Sequence, residues 1–124
     1  MKAAIVVFSD PKSGSEESLG RVFNALAAAY DFKQKGDDVT ILFQGAGTRW
    51  AGELTKVDHP AHGLFEAVKD KVAGVSCGCA DVFGATAEAK KNGFELIKDN
   101  PVPSTGGLPS FRKLTSDGYT VLTF

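Results

Sequence analysis

A three-layer α/β/α sandwich around a five-stranded, mainly parallel sheet is the fold this sequence predicts, in one domain over residues 1–124. Three observations predict it. Residues 3–8 and 39–43 are unbroken apolar runs bounded by turn-forming residues, the pattern of strands covered on both faces. Between them runs a long segment with apolar residues at helical spacing, and strand, helix, strand in that order imposes a parallel crossover. The alternation then continues to the last residue, which is the α/β signature.

Ala3 to Phe8 is the first strand. Ser13-Gly14-Ser15-Glu16 reads as a capping box that opens a helix. Leu19, Val22, Phe23, Leu26 and Tyr30 form its apolar stripe, and Gly36 closes it. Val39 to Phe43 is the second strand, followed by the loop Gln44-Gly45-Ala46-Gly47-Thr48 and a short helix over 49–56. A further helix is expected from His59-Pro60, because proline suits the first helical position. Its stripe is Ala61, Leu64, Phe65, Val68 and Val72. Ala73 to Ser76 is a third strand. A cysteine turn leads from it into a helix from Cys79 to Lys91, lined by Val82, Phe83, Thr86 and Ala87 and stopped by Asn92-Gly93. Phe94 to Ile97 is the fourth strand. An irregular stretch, 100–107, precedes a short helix carrying Leu108, Phe111 and Leu114 and ended by Gly118, and Tyr119 to Phe124 is the fifth strand.

Composition narrows the function. With 124 residues, 43% hydrophobic and 23% charged, the chain matches an ordinary globular domain that needs no disulfide or metal to fold. A formal net charge of -1, with Lys and Arg scattered among Asp and Glu, offers no basic field for nucleic acid. The opening apolar run is short and broken by Ser9-Asp10-Pro11-Lys12, unlike a signal sequence. No stretch approaches the roughly 20 apolar residues of a membrane helix. Two cysteines one residue apart are no secreted disulfide framework, so the cytoplasm is the expected compartment.

Ligands of open parallel sheets collect beyond the carboxyl ends of the strands, and four loops leave those ends here. Cys77-Gly78-Cys79 is the strongest candidate among them. A cysteine at a helix amino terminus faces unpaired N–H groups and the positive end of the dipole, both of which favour thiolate. Buried cysteines are otherwise inert packing residues. His62 is a candidate base or orienter for the thiolate. His59, His62 and the two cysteines form a nominal metal set, but zinc sites space their cysteines by two to four residues, so no metal is expected. Gly47 and Thr48 at a helix start, with Arg49 beside them, suit an anion through their N–H groups, although a glycine turn with a surface arginine and a packed Trp50 explains the same residues. The P-loop spacing is missing.

At these residues the chain resembles the DsrE/DsrF-like family, which includes subunits of sulfur-relay complexes. The segment Val75-Ser76-Cys77-Gly78-Cys79-Ala80-Asp81-Val82-Phe83-Gly84-Ala85 looks like that family's strand-cysteine-helix segment, and Thr48-Arg49-Trp50 and Asp58-His59-Pro60-Ala61-His62 look like features of an uncharacterised branch. The resemblance implies a persulfide-carrying cysteine at this junction, a sulfur donor or acceptor protein as partner, and assembly as a trimer or a multiple. Many relatives place two residues between the paired cysteines, where Gly78 stands alone here. Counting back from Gly84, Cys79 matches the second cysteine of such pairs and Ser76 the first. A shift of one residue puts Cys77 in the first place.

The expected function is therefore sulfur handling through Cys79 or Cys77, with His62 or Arg49 stabilising charge nearby and no cofactor. Two alternatives stay open: a non-catalytic module holding a small anion at Gly47, Thr48 and Arg49, and a thiol redox sensor through a Cys77–Cys79 disulfide. Trp50 and the segment 101–108 are the candidate contact surfaces of an oligomer.

Overall fold

The structure is a computed structural model that describes residues 1–124. Its strands are β1 (Lys2–Val7), β2 (Asp38–Phe43), β3 (Val72–Ser76), β4 (Leu96–Ile97) and β5 (Thr120–Thr123). They form one sheet in the order β4-β3-β2-β1-β5, and every pair is parallel. β1 and β2 are adjacent and central, in register from Lys2↔Asp38 to Val7↔Phe43. The helices are α1 (Glu16–Gln34), α2 (Trp50–Glu53), α3 (His62–Val68), α4 (Cys77–Val82), α5 (Thr86–Lys91) and α6 (Phe111–Ser116).

Strand order explains how the layers fill. From β1 to β4 the chain steps across the sheet in one direction, and crossovers of one hand taken in one direction deposit their helices on one face. Side chains of α1 to α5 accordingly share a single core with Ala3, Ile5, Val7, Val39, Ile41 and Phe43, which point to that face by strand alternation. Ala4, Val6 and Leu42 point to the other face and are also buried. The only reversal, from β4 back across to β5, carries the chain over that second face through the segment 98–110 and α6, which packs on β5.

Local chemistry sets most element ends as expected. Ser15 caps α1 by accepting the Ser18 N–H, and Glu16 and Glu17 occupy the first turn. The reciprocal glutamate of a capping box is missing, because Ser18 stands at the third helical position. Gly36 (φ +76°) follows the helix.

Four expectations need correction. β4 is only Leu96–Ile97. Phe94 leaves the strand line to stack on Phe65 at 6.0 Å and meet the edge of Phe43 at 6.1 Å. Val72 belongs to β3 rather than to the α3 stripe, as its β-branched side chain favours. α3 begins at His62, after turns through His59 and Pro60. The helix expected over 79–91 starts at Cys77 and is broken near Gly84 (φ +69°) into α4 and α5.

Gly47 is fixed by a close approach. A Cβ there would lie 2.2 Å from the Val7 carbonyl oxygen, so the turn after β2 rests directly on the end of β1. Replacing Gly47 by Ala is expected to destabilise the protein by about 2 kcal/mol or more, since backbone must move to admit the methyl. Gly20, mid-helix with nothing near its Cβ position, is the control: Gly20→Ala is expected to stabilise by roughly 0.5–1 kcal/mol. Urea unfolding of both variants checks the pair, and a neutral Gly47→Ala contradicts the packing described.

Candidate thiol site at the start of α4

Ser76 ends β3, is fully buried, and caps α4 by accepting the Cys79 N–H on its hydroxyl at 3.3 Å. Cys77 is thus the first residue of the helix and not the last of the strand, and Cys79 is the third. Both are half-buried free thiols. Two residues apart on a helix, they point about 200° away from each other. Side chains aimed apart cannot be bridged without moving backbone, so the Cys77–Cys79 disulfide of the redox-sensor alternative requires this turn to rearrange.

The N–H groups of the first turn are largely used. Cys79 N–H goes to Ser76, and Gly78 N–H is donated to the Gly107 carbonyl at 2.7 Å. The second bond docks the segment after β4 onto the start of α4. Gly78 is required there, because a Cβ would come within 2.8 Å of Leu108 Cδ1. The Cys77 side lies beneath this segment, next to Gly106. Beneath the thiols the strand ends are polar. Gln44 follows β2 beside Ser76 in register, and its buried Oε1 has no hydrogen-bond partner.

The remaining candidates distribute unevenly. Arg49 is brought to α4: its Nε donates to the Phe83 carbonyl at 3.1 Å, and the guanidinium lies 5.4 Å from the Phe83 ring centroid. Its Nη1 pairs with Asp10 Oδ2 at 2.9 Å, which ties the loop after β1 to the end of α4. Gly47 and Thr48 are buried in the 3₁₀ turn Gly45–Arg49. Gly47 N–H is donated to Gln44 O, and Thr48 Oγ1 donates to Gly45 O. Trp50 is 2% exposed and donates Nε1–H to Ser9 O at 2.8 Å, so it serves the monomer core and offers no contact surface.

His62 is held elsewhere. Its Nδ1 is 2.7 Å from the Leu54 carbonyl, which can only accept, so Nδ1 carries the proton. Nε2 faces Glu66 at 3.8 Å. No hydrogen bond or ion pair joins His62 to either cysteine. Glu66 itself is held below the usual carboxylate range by its hydrogen bond from Lys69. His59 packs edge-on to Trp50 at 5.8 Å and accepts the Ala61 N–H on Nδ1. No three His, Cys, Asp or Glu side chains gather into a metal-binding group.

Two cavities adjoin the carboxyl edge. One of about 410 Å³ opens between the ends of β1 and β5, lined by Phe8, Ser9, Ser15, Thr123 and Phe124. This is where strand order reverses, and the contribution of the last strand was not visible in the sequence. Another, of about 450 Å³, is bordered by Lys12, Arg49, Lys56 and Lys91 with Glu53 and Glu88. Sequence reasoning also missed Asp81 and Gly106 beside Cys77. The spacing of Asp81, four residues after Cys77, would have revealed it had the helix been started at Cys77.

Fold and site together define a small parallel α/β protein with thiols on the first turn after an inner strand. The sequence model of the DsrE/DsrF-like family matches residues 1–124, and the chain belongs to that family. It is 30% identical over 122 residues to an uncharacterized protein of Methanocaldococcus jannaschii, covering 98% of this chain and 94% of that relative. No solved structure matches the chain significantly. No helix is long and apolar enough to cross a membrane.

Burial holds the His59 pKa below its usual 6.5. The unfolded chain therefore binds a proton on this ring before the folded protein does, and stability falls as pH drops from about 7 to about 5. Urea midpoints across that range are expected to show the loss in wild type and a smaller loss in His59→Asn. An equal loss in both contradicts the assignment.

Proposed function

We propose that this protein handles sulfane sulfur at the first turn of α4, where Cys77 or Cys79 takes up a sulfur atom as a persulfide and passes it to a partner protein. The observation that carries this reading is the pair of free, half-buried thiols placed by Ser76 and Gly78 at the carboxyl edge of a parallel sheet. That edge is where such folds bind and transform ligands. Membership of a family with sulfur-relay subunits supports it. Arg49 reaches the far end of α4, at Phe83, and is paired with Asp10, so any charge it offsets at the thiols acts at a distance, and His62 is better read as a structural anchor between Leu54 and Glu66. A reducing compartment such as the cytoplasm suits thiols that must stay unpaired.

A second reading has one observation in its favour. The cavity of about 450 Å³ beside Arg49 carries four basic side chains, which suits a small anion held without turnover. Arg49 is then the contact. Gly47 and Thr48 shape the turn without giving their N–H groups to a ligand.

Assembly as a trimer or a multiple is part of the proposal. Phe23 and Tyr30, two turns apart on α1, are 45% and 40% exposed and could supply the apolar centre of an interface. Sedimentation is expected to show a homo-oligomer, and a monomer at high concentration contradicts it.

Incubating the reduced protein with inorganic polysulfide, then measuring intact mass, tests sulfur handling. Wild type is expected to gain sulfur that dithiothreitol removes, and the Cys77→Ser/Cys79→Ser double variant to gain none. No gain in wild type refutes the reading. Loss of two hydrogens under mild oxidant, with no added sulfur, favours the redox-sensor alternative instead.

A further inference from the structure

The start of β3 has no outer neighbour. β4 pairs with β3 only at Val75↔Leu96 and Ser76↔Ile97, so Val72, Ala73 and Gly74 carry no strand on that side. Phe94 turns inward instead, donating its N–H to the Ala89 carbonyl at 2.9 Å and stacking on Phe65 at 6.0 Å. A cavity of about 460 Å³ opens in the space left, between α3, the start of β3 and the residues that follow α5. Its inner wall is apolar, formed by Phe65, Phe94, Val72 and Ala73. Its volume lies within the range that small-molecule sites occupy.

Charge at the mouth is of one sign once the ion pairs are set aside. Lys69 pairs with Glu66 at 2.9 Å and Lys33 with Asp70 at 2.8 Å. These hydrogen bonds hold both carboxyls below their usual range. Glu95 also lines the cavity, and its side chain enters no ion pair or hydrogen bond. Its backbone is fixed. The Glu95 carbonyl accepts the Val75 N–H at 2.9 Å, and Gly74 is glycine because a Cβ there would lie 2.2 Å from that oxygen. Asn92 donates its Nδ2–H to the Ala51 carbonyl at 2.9 Å and leaves Oδ1 unspent. The cavity therefore combines an apolar wall with one unneutralised carboxylate and one free amide oxygen, and no unpaired cation lines it.

We propose that this cavity binds a monocation with an apolar body, an amine or guanidinium carried on an aromatic or aliphatic stem. The body lies against Phe94 and Val72, where burial of apolar surface supplies most of the affinity. The cationic N–H groups turn outward to the Glu95 carboxylate and Asn92 Oδ1. An anion would meet Glu95 with no free cation to offset it, and a neutral body would leave that carboxylate unused. A free amine and a lysine or arginine side chain of a partner protein present this same chemistry. The site goes beyond the sulfur-handling reading and does not depend on it. It lies at the opposite end of β3 from Ser76, and neither cysteine lines it.

Amide chemical shifts of Gly74 and Gly93, both at the cavity, read occupancy in the full chain. Benzylamine, benzyl alcohol and benzoate offer one ring with positive, neutral and negative charge. Benzylamine is expected to shift both amides saturably, benzyl alcohol more weakly and benzoate not at all. Glu95→Gln is expected to weaken benzylamine about threefold and leave benzyl alcohol unchanged. Phe94→Leu is expected to weaken both alike, with the dispersion of the remaining amide signals as the control for folding. Equal binding of all three probes, no shift with benzylamine, or an unchanged benzylamine affinity in Glu95→Gln overturns the proposal. N-acetyl-arginine amide, titrated alongside, distinguishes the sources: tighter binding than benzylamine assigns the site to a partner's side chain, and weaker binding assigns it to a free amine.

Discussion

The chain reverses direction across its sheet once, between β4 and β5, and the rest of the architecture follows from that. Three steps in one direction stack α1 to α5 against one face and bury β1 and β2 at the centre. The return leg must then cross the opposite face from one edge to the other. That leg is the segment 98–110 with α6. It passes over the carboxyl edge of the sheet, where its Gly107 carbonyl accepts the Gly78 N–H and Gly106 lies against Cys77. Without the reversal the first turn of α4 would be an open helix end. With it, the turn becomes a partly enclosed thiol site.

The same edge shows how polar side chains tie separate elements together. Asp10, from the loop after β1, pairs with Arg49, from the turn after β2, and Arg49 reaches the carbonyl of Phe83 at the end of α4. Trp50 buries its ring and spends its single N–H on Ser9. These contacts bind the loops after β1 and β2 to the end of α4, so a change at Arg49 or Asp10 would disturb the geometry of α4 as well as local charge. Arg49 is thus a strut that joins the loops after β1 and β2 to the far end of α4.

Much of the fold was legible in the sequence because it rests on local patterns. Unbroken apolar runs marked β1 and β2, and the stripe from Leu19 to Tyr30 marked α1. The ends of elements were harder. Ser76 continues an apolar strand and caps the next helix at once, so its capping role appears only when β3 and α4 are seen together. The helix break at Gly84 had a signal in the glycine itself, outweighed by the apolar residues on either side. At the site, the cysteines were visible and their neighbours were not. Asp81 depends on where α4 begins, and Gly106 on a long-range docking that no local spacing encodes. His62, a candidate base or orienter by residue type alone, spends its ring on Leu54 and Glu66.

The fold, by placing these cysteines on the first turn of α4, is expected to make a thiol reactive. Competitive alkylation of the native and urea-unfolded protein, read peptide by peptide near neutral pH, tests it most directly. At least one of Cys77 and Cys79 is expected to react faster in the folded protein than in the unfolded chain. If both react more slowly when folded, the turn is structural, and the anion-binding surface beside Arg49 becomes the better account of what this protein does.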